Sequence, residues 1–205
     1  MHASTNTDWA QKYRPRTLQE MVLPSALARK LLRVCEDGGG MSLLFHGPPG
    51  TGKTAAASVI NPTTLLHVHC SKDRSIATVK TIVNKCGSLC AYGRRVIVLD
   101  EIDDLTSEAQ GALEAAIEHL SVGNDFIGTT NHIDKVSVAL KSRLYPVSFD
   151  HLSDNNYAEQ IKCRLRHVLS NEGRSEPPPA VLSAIVREEF PDIRRMLKRL
   201  QFETA

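Results

Sequence analysis

Short apolar runs closed by turn residues alternate, through the first 150 positions, with stretches whose apolar residues recur every three or four places. Met41 to Phe45 (MSLLF) reads as a buried strand ending at a loop rich in glycine and proline. Thr54 to Ile60 reads as a short helix stopped by Asn61-Pro62. A strand over Leu65 to Val68 comes next, and then a helix over Ile76 to Cys86 with Ser75 as its N-cap. Val96 to Leu99 (VIVL) is a second fully apolar strand. Leu105, Ala109, Leu113, Ile117 and Leu120 fall on one helical stripe, with Thr106 or Ser107 placed to cap it. Phe126 to Thr129 and Val147 to Phe149 complete the strands. Strands alternating with helices predict an α/β fold whose parallel sheet is covered on both faces.

From Asp150 the pattern becomes wholly helical. Ala158, Ile161, Leu165 and Val168 share one stripe over residues 154–171. The segment Gly173 to Pro179 (GRSEPPP) breaks it, and two further helices are predicted over Ala180 to Phe190 and Asp192 to Phe202, with Pro191 in the first turn of the last. The pattern therefore divides into an α/β core over 1–150 and a small three-helix lid over 151–205.

Composition narrows the function only a little. A net charge of +2 does not by itself announce a nucleic-acid binder, and 41% hydrophobic residues suit a folded chain. The five cysteines are odd in number and form no C-x-x-C pair, which argues against a disulfide framework and for a reducing cytosol. His67, His69, Cys70, Cys86 and Cys90 offer zinc-ligating atoms, but their spacing fits no common finger, and they read as half-buried side chains at the ends of a strand and a helix. The start, MHASTNTDW, has no basic and apolar leader pattern, and no apolar run is long enough to cross a bilayer; the expectation is a cytoplasmic protein, or one of the host cytoplasm if phage-encoded.

The chemistry concentrates in two segments. Gly47-Pro48-Pro49-Gly50-Thr51-Gly52-Lys53-Thr54 matches G-x-x-x-x-G-K-[ST], between a predicted strand and a predicted helix. Glycines let successive backbone N–H groups converge on one anion, and the helix N-terminus adds positive potential. Lys53 supplies a charge for the β- and γ-phosphates, and the Thr54 hydroxyl suits Mg²⁺. Val96-Ile-Val-Leu-Asp100-Glu101 is the expected partner: a central strand delivering two carboxylates at its C-terminal end, Asp100 lying 47 residues beyond Lys53. Asp100 is expected to hold Mg²⁺, and Glu101 to orient or deprotonate water. Asp103 and Asp104 read as helix-start residues.

HGPPGTGKT together with VIVLDEID resembles an AAA+ ATPase. Trp9-Ala-Gln-Lys-Tyr-Arg-Pro-Arg-Thr-Leu, Leu105-Thr-Ser-Glu-Ala-Gln-Gly-Ala-Leu113 and Phe190-Pro-Asp-Ile-Arg194-Arg-Met-Leu are similar to segments of the clamp-loader branch, meaning replication factor C small subunits and T-even phage clamp-loader ATPases. The resemblance implies a P-loop AAA+ core with a parallel sheet, followed by the helical lid, with ATP and Mg²⁺ as ligands. It assigns Tyr13, Arg14, Pro15 and Val22 to covering the adenine, and Asn131 to positioning the lytic water. Arg143, in Ser142-Arg143, is assigned to reaching a neighbouring subunit's ATP, and Arg194 to tying the lid to the γ-phosphate, with Arg195 the alternative one position on. It also implies an oligomer of AAA+ subunits, DNA as a partner and a sliding clamp as the object loaded; no membrane is implied.

Some positions depart from that pattern. Leu144 stands where the family usually has cysteine, and Glu114 and Ala115 stand where it commonly has two arginines thought to relay DNA contact. The sequence given stops at Ala205, where relatives continue into a collar domain, so it is either a fragment or a chain that assembles without one. Lys72, Arg74, Lys80, Lys85, Arg94 and Arg95 form a basic stretch that suits DNA phosphates or a solvated face. Two rivals to the clamp loader therefore stay open: a collarless AAA+ regulator forming filaments on DNA, as in some transposition systems, and an ATP-binding structural subunit with little turnover.

Overall fold

The computed structural model describes residues 8–36, 40–60, 64–87, 95–150 and 156–204. Five strands form one parallel sheet: β1 (Leu43–His46), β2 (Thr64–His69), β3 (Arg95–Asp100), β4 (Asn124–Thr130) and β5 (Tyr145–Ser148), in the spatial order β2-β3-β4-β1-β5. The central strands are apolar over their middle residues because both faces are covered; Val98, Leu99, Leu44 and Phe45 are completely buried. Pro146 lies in edge strand β5, where a missing N–H disturbs one side only.

Helices α1 (Trp9–Lys12) and α2 (Ser25–Glu36) precede the sheet, and α3 (Lys53–Ile60), α4 (Ile76–Gly87), α5 (Ser107–Leu120) and α6 (Val138–Arg143) connect its strands. The caps follow from sequence: Thr106 accepts from the Ala109 N–H at 3.2 Å, and Ser75 Oγ from the Ala77 N–H at 3.2 Å. Leu105, Ala109, Leu113 and Ile117 bury the predicted stripe of α5 against Ile97, Leu99 and the inner face of α4. On the other sheet face, Leu27 and Leu31 of α2 pack with Phe45, Ile127 and Phe149. The stop at Asn61-Pro62, Cys90, Arg94 and the first residues of the 154–171 helix lie outside the described residues.

The three C-terminal helices are α7 (Tyr157–Asn171), α8 (Pro179–Glu189) and α9 (Ile193–Glu203). Their stripes close over a separate cluster of Tyr157, Ile161, Leu165, Leu182, Ile185, Met196 and Leu200. Trp9 joins this cluster: α1 packs on α9, the Trp9 N–H donates to Gln201 Oε1 at 2.9 Å, and Lys198 pairs with Asp8 at 3.5 Å. The start of α9 differs from expectation. Pro191 lies outside the helix, and Asp192 is the N-cap, accepting from the Arg195 N–H at 3.0 Å. A carboxylate satisfies an orphan donor there, which a proline ring cannot do.

Candidate functional site

β1 ends at His46 and hands the chain to a loop whose glycines take positive φ: 140° at Gly47, 75° at Gly50 and 94° at Gly52. At two of them a side chain is excluded by contact as well. A Cβ on Gly47 would stand 2.9 Å from the Phe149 carbonyl carbon, and one on Gly50 would stand 1.9 Å from Asp192 Oδ1. The loop therefore touches β5 on one side and the cap of α9 on the other, and the Ile193 N–H donates to the Gly50 carbonyl at 3.3 Å. Pro48 and Pro49 shape the loop, and Thr51 Oγ1 fastens it by donating to the Pro48 carbonyl at 2.9 Å.

Lys53 opens α3 and is buried, its ammonium donating to the carbonyls of Gly47 at 2.8 Å and Pro48 at 2.7 Å. Burial pushes its pKa down to about 8 against the pull of Asp103 and Asp100; Arg194 lowers it further and Asp192 raises it. One oxygen of Asp103, Oδ1, is buried without a hydrogen-bond partner. Asp103 is thus more than a helix-start residue, since its charge is the largest counterweight to the desolvation of Lys53.

Asp100 ends β3 and is also buried. Its Oδ1 accepts from Thr54 Oγ1 at 2.7 Å and from Thr129 Oγ1. Burial raises its pKa, but the neighbouring His67 imidazole and the hydrogen bonds from Thr129 and Thr54 outweigh that effect and hold it at about 2. Thr129 also accepts the Glu101 N–H at 3.1 Å. Glu101 is the one non-glycine residue at positive φ among the described residues, at φ 60° and ψ 51°. A left-handed residue costs about 1–2 kcal/mol, and strain of this kind gathers where a side chain must be aimed.

These groups fit a magnesium polyphosphate. The hydroxyl of Thr54 and the carboxylate of Asp100 are hard oxygen donors already within hydrogen-bond distance of each other, as two ligands of one small cation must nearly be. The buried ammonium, the glycine backbone and the N-terminus of α3 supply positive potential beside them.

The remaining predicted residues divide by distance. The pairing of His46 with Thr130 puts Asn131 level with Gly47 at the same sheet edge, exposed to solvent. Arg194 is close enough for its charge to act on Lys53, whereas Arg195 pairs with Glu189 at 2.8 Å. Val22 lines a cavity of about 400 Å³ between residues 19–22 and α7, with Met21, Gln160 and Arg164 on its walls, and Met21 Cε is 3.1 Å from the Cβ position of Gly52. Tyr13, Arg14 and Pro15 do not line it. The Tyr13 hydroxyl donates to Glu172 on α7; its pKa is pushed up to about 12 by burial and then by Glu172. Arg143 lies outside this cluster: it pairs with Glu118 Oε2 at 2.9 Å and with Glu114 Oε1 at 3.7 Å, both on α5. Leu144 is fully buried in the α5–sheet core, which explains an aliphatic side chain at that position.

Sequence reasoning did not find Thr129, Asp103, Glu118, or the approach of His67 and His69 to Asp100. Only the polar pair in FIGTT, a threonine doublet at the end of an apolar strand, carried a signal for Thr129.

Comparison with known proteins places this geometry. The model of the ATPase family associated with various cellular activities (AAA) matches residues 43–149. Replication factor C subunit 3 of Blastobotrys adeninivorans is 32% identical over 204 residues, 94% of this chain and 59% of that one. Replication factor C small subunit 2 of Pyrobaculum aerophilum is 31% identical over 204 residues, 94% of this chain and 62% of that one. The chain thus spans about three fifths of the length of these curated relatives. Among solved structures, the Thermotoga maritima RuvB Holliday junction branch migration motor superposes with a TM-score of 0.74 at 22% identity, over 93% of this chain and 64% of that one, a likeness of fold.

Proposed function

The chain belongs to the AAA family of ATPases, and from that membership we propose that it is a clamp-loader-type subunit that binds Mg·ATP, assembles with neighbouring AAA+ subunits and uses hydrolysis to place a sliding clamp on primer–template DNA. The observation that carries the ATPase reading is the Thr54–Asp100 hydrogen bond beside the buried Lys53. Similarity to replication factor C subunits over 94% of the chain supports the task.

On this reading the α/β core over 1–150 holds the nucleotide and the helices over 151–205 act as its lid. Magnesium, when bound, neutralises charge on the β- and γ-phosphates. Pro48 and Pro49, which have no N–H, shape the loop, while Gly50 to Thr54 offer their backbone N–H groups to the phosphates, and Gly52 leaves room for Met21. Lys53 exchanges its carbonyl partners for phosphate oxygens. Thr54 and Asp100 hold the metal. Glu101, fixed by Thr129, takes the proton of the attacking water, and Asn131 orients that water from the adjacent strand end. Val22 borders the adenine, with Tyr13, Arg14 and Pro15 holding the segment against α7. Arg194 couples the γ-phosphate to α9.

Arg143 acts on a neighbour. Its pairs with Glu114 and Glu118 are partly exposed, and such pairs are worth about 0–1 kcal/mol, so a neighbour's phosphates outcompete them. Of the two positions where the resemblance leads one to expect arginines, Ala115 is neutral and Glu114 is a carboxylate, which together with Glu118 holds the finger while it waits.

The test is turnover measured for the chain alone, with primer–template DNA, and with that DNA plus a sliding clamp. A large rise that requires the clamp is expected. A rise on any duplex without a clamp would replace clamp loading by DNA-regulated assembly, and no turnover in any mixture would end the ATPase reading.

A further inference from the structure

The carboxylate of Asp100 has two sides. Its Oδ1 is occupied by Thr54 and Thr129, on the side of the phosphate loop. Its Oδ2 faces β2, where His69 Nδ1 lies 3.5 Å away and His67 Nε2 lies 3.8 Å away. The two imidazoles project from alternate residues of one strand, so they share a face, and strand pairing sets His69 opposite Asp100. Their ring centroids are 4.5 Å apart, and the three ligand atoms all lie within 4.8 Å of one another. This is the only such group among the described residues.

We propose that His67, His69 and Asp100 Oδ2 form a binding site for a divalent transition-metal cation of the zinc class, separate in ligand set from the magnesium position on the other side of the same carboxylate. Tetrahedral zinc with bonds of about 2.0–2.1 Å sets its ligands about 3.3 Å apart, so the two histidine–aspartate spacings need only a small closure, while the two imidazole nitrogens turn toward each other. The imidazole side chains have the freedom to supply it, being 30% and 43% exposed. Two imidazoles and one carboxylate select zinc, nickel, cobalt or copper over magnesium, whereas the hydroxyl–carboxylate side selects magnesium. Cys70 and Cys86 take no part: both are buried in the apolar core away from solvent. A metal held here draws on the carboxylate that serves the nucleotide, so its occupancy slows turnover; that consequence, unlike the site itself, rests on the role proposed above for Asp100.

The test needs neither nucleotide nor turnover, so its failure and the failure of the ATPase reading are distinguishable. Zn²⁺ is titrated into the whole chain, freed of any affinity tag, by calorimetry in millimolar Mg²⁺, and Co²⁺ is added in parallel as an optical probe. One Zn²⁺ per chain is expected, with affinity at least tenfold lower in the His67→Gln, His69→Gln double variant and in Asp100→Asn, each checked for an unchanged melting curve. The Co²⁺ spectrum of the unaltered chain should show ligand-field bands without thiolate charge transfer. Stoichiometric binding that survives the double variant, a thiolate band, or no Zn²⁺ binding overturns the site.

Discussion

Lys53 shows how a single side chain is set by its surroundings. Its pKa of about 8 in the free protein means that the ammonium is largely neutral at pH 9. A bound polyphosphate stabilises the charged form, so binding raises the pKa and takes up a proton above pH 8. Calorimetry at pH 9 in two buffers of different ionisation enthalpy should reveal that uptake, and affinity should fall by up to about tenfold per pH unit above 8. In Lys53→Met the uptake should vanish and binding should weaken at every pH. The glycine-rich loop over residues 47–54 was legible because it is local: eight consecutive residues carry it. Thr129 with Asp100, Asp103 with Lys53 and His67 with Asp100 were not, because strand pairing or a turn brings them together and no sequence spacing announces it.

Among the elements, α9 carries the sharpest consequence. Its N-cap, Asp192, sits against Gly50, so a helix-stabilising carboxylate also places negative charge beside the phosphate site. Asparagine caps helices as well as aspartate does. Asp192→Asn should therefore leave the melting temperature within about 2 °C and tighten nucleotide binding about three- to tenfold at low salt, less at high salt, as measured with a fluorescent nucleotide. Asp192→Ala should lose about 1 kcal/mol of stability as well. Most of the longer helices could be read from periodicity, and the caps of α4 and α5 from the residues before them, whereas the cap of α9 could not. α1 and α6 could not, since they have only four and six residues; α2 was missed although Leu27, Leu31 and Val34 recur at helical spacing. β3 and β4 extend one or two residues past their apolar runs, whereas β1 begins at Leu43 and β5 stops before Phe149, since ladder hydrogen bonds do not follow hydrophobicity.

At the scale of the whole molecule, the site is divided between lobes and, on the reading proposed here, between subunits. Arg143→Ala should leave ATP affinity unchanged and cut turnover about 10³-fold or more. Mixing it with a Lys53→Met chain, which keeps Arg143 but weakens its own site, should restore turnover at the shared junction. No recovery at any mixing ratio would remove Arg143 from the neighbour's chemistry. The proposed division into core and lid rests on a change from alternating to purely helical pattern near Asp150. That Trp9 would leave the first lobe to pack against the last helix was not, because a contact spanning 192 positions leaves no local trace.

That contact has a practical consequence. The chain holds a single tryptophan, and its indole is buried where α1 packs on α9 among the residues of the C-terminal helices. Any swing of the C-terminal helices away from the phosphate loop must carry the indole along or admit water to it. Water reaching the indole shifts its emission, so tryptophan fluorescence, with no dye attached, tells these two outcomes apart.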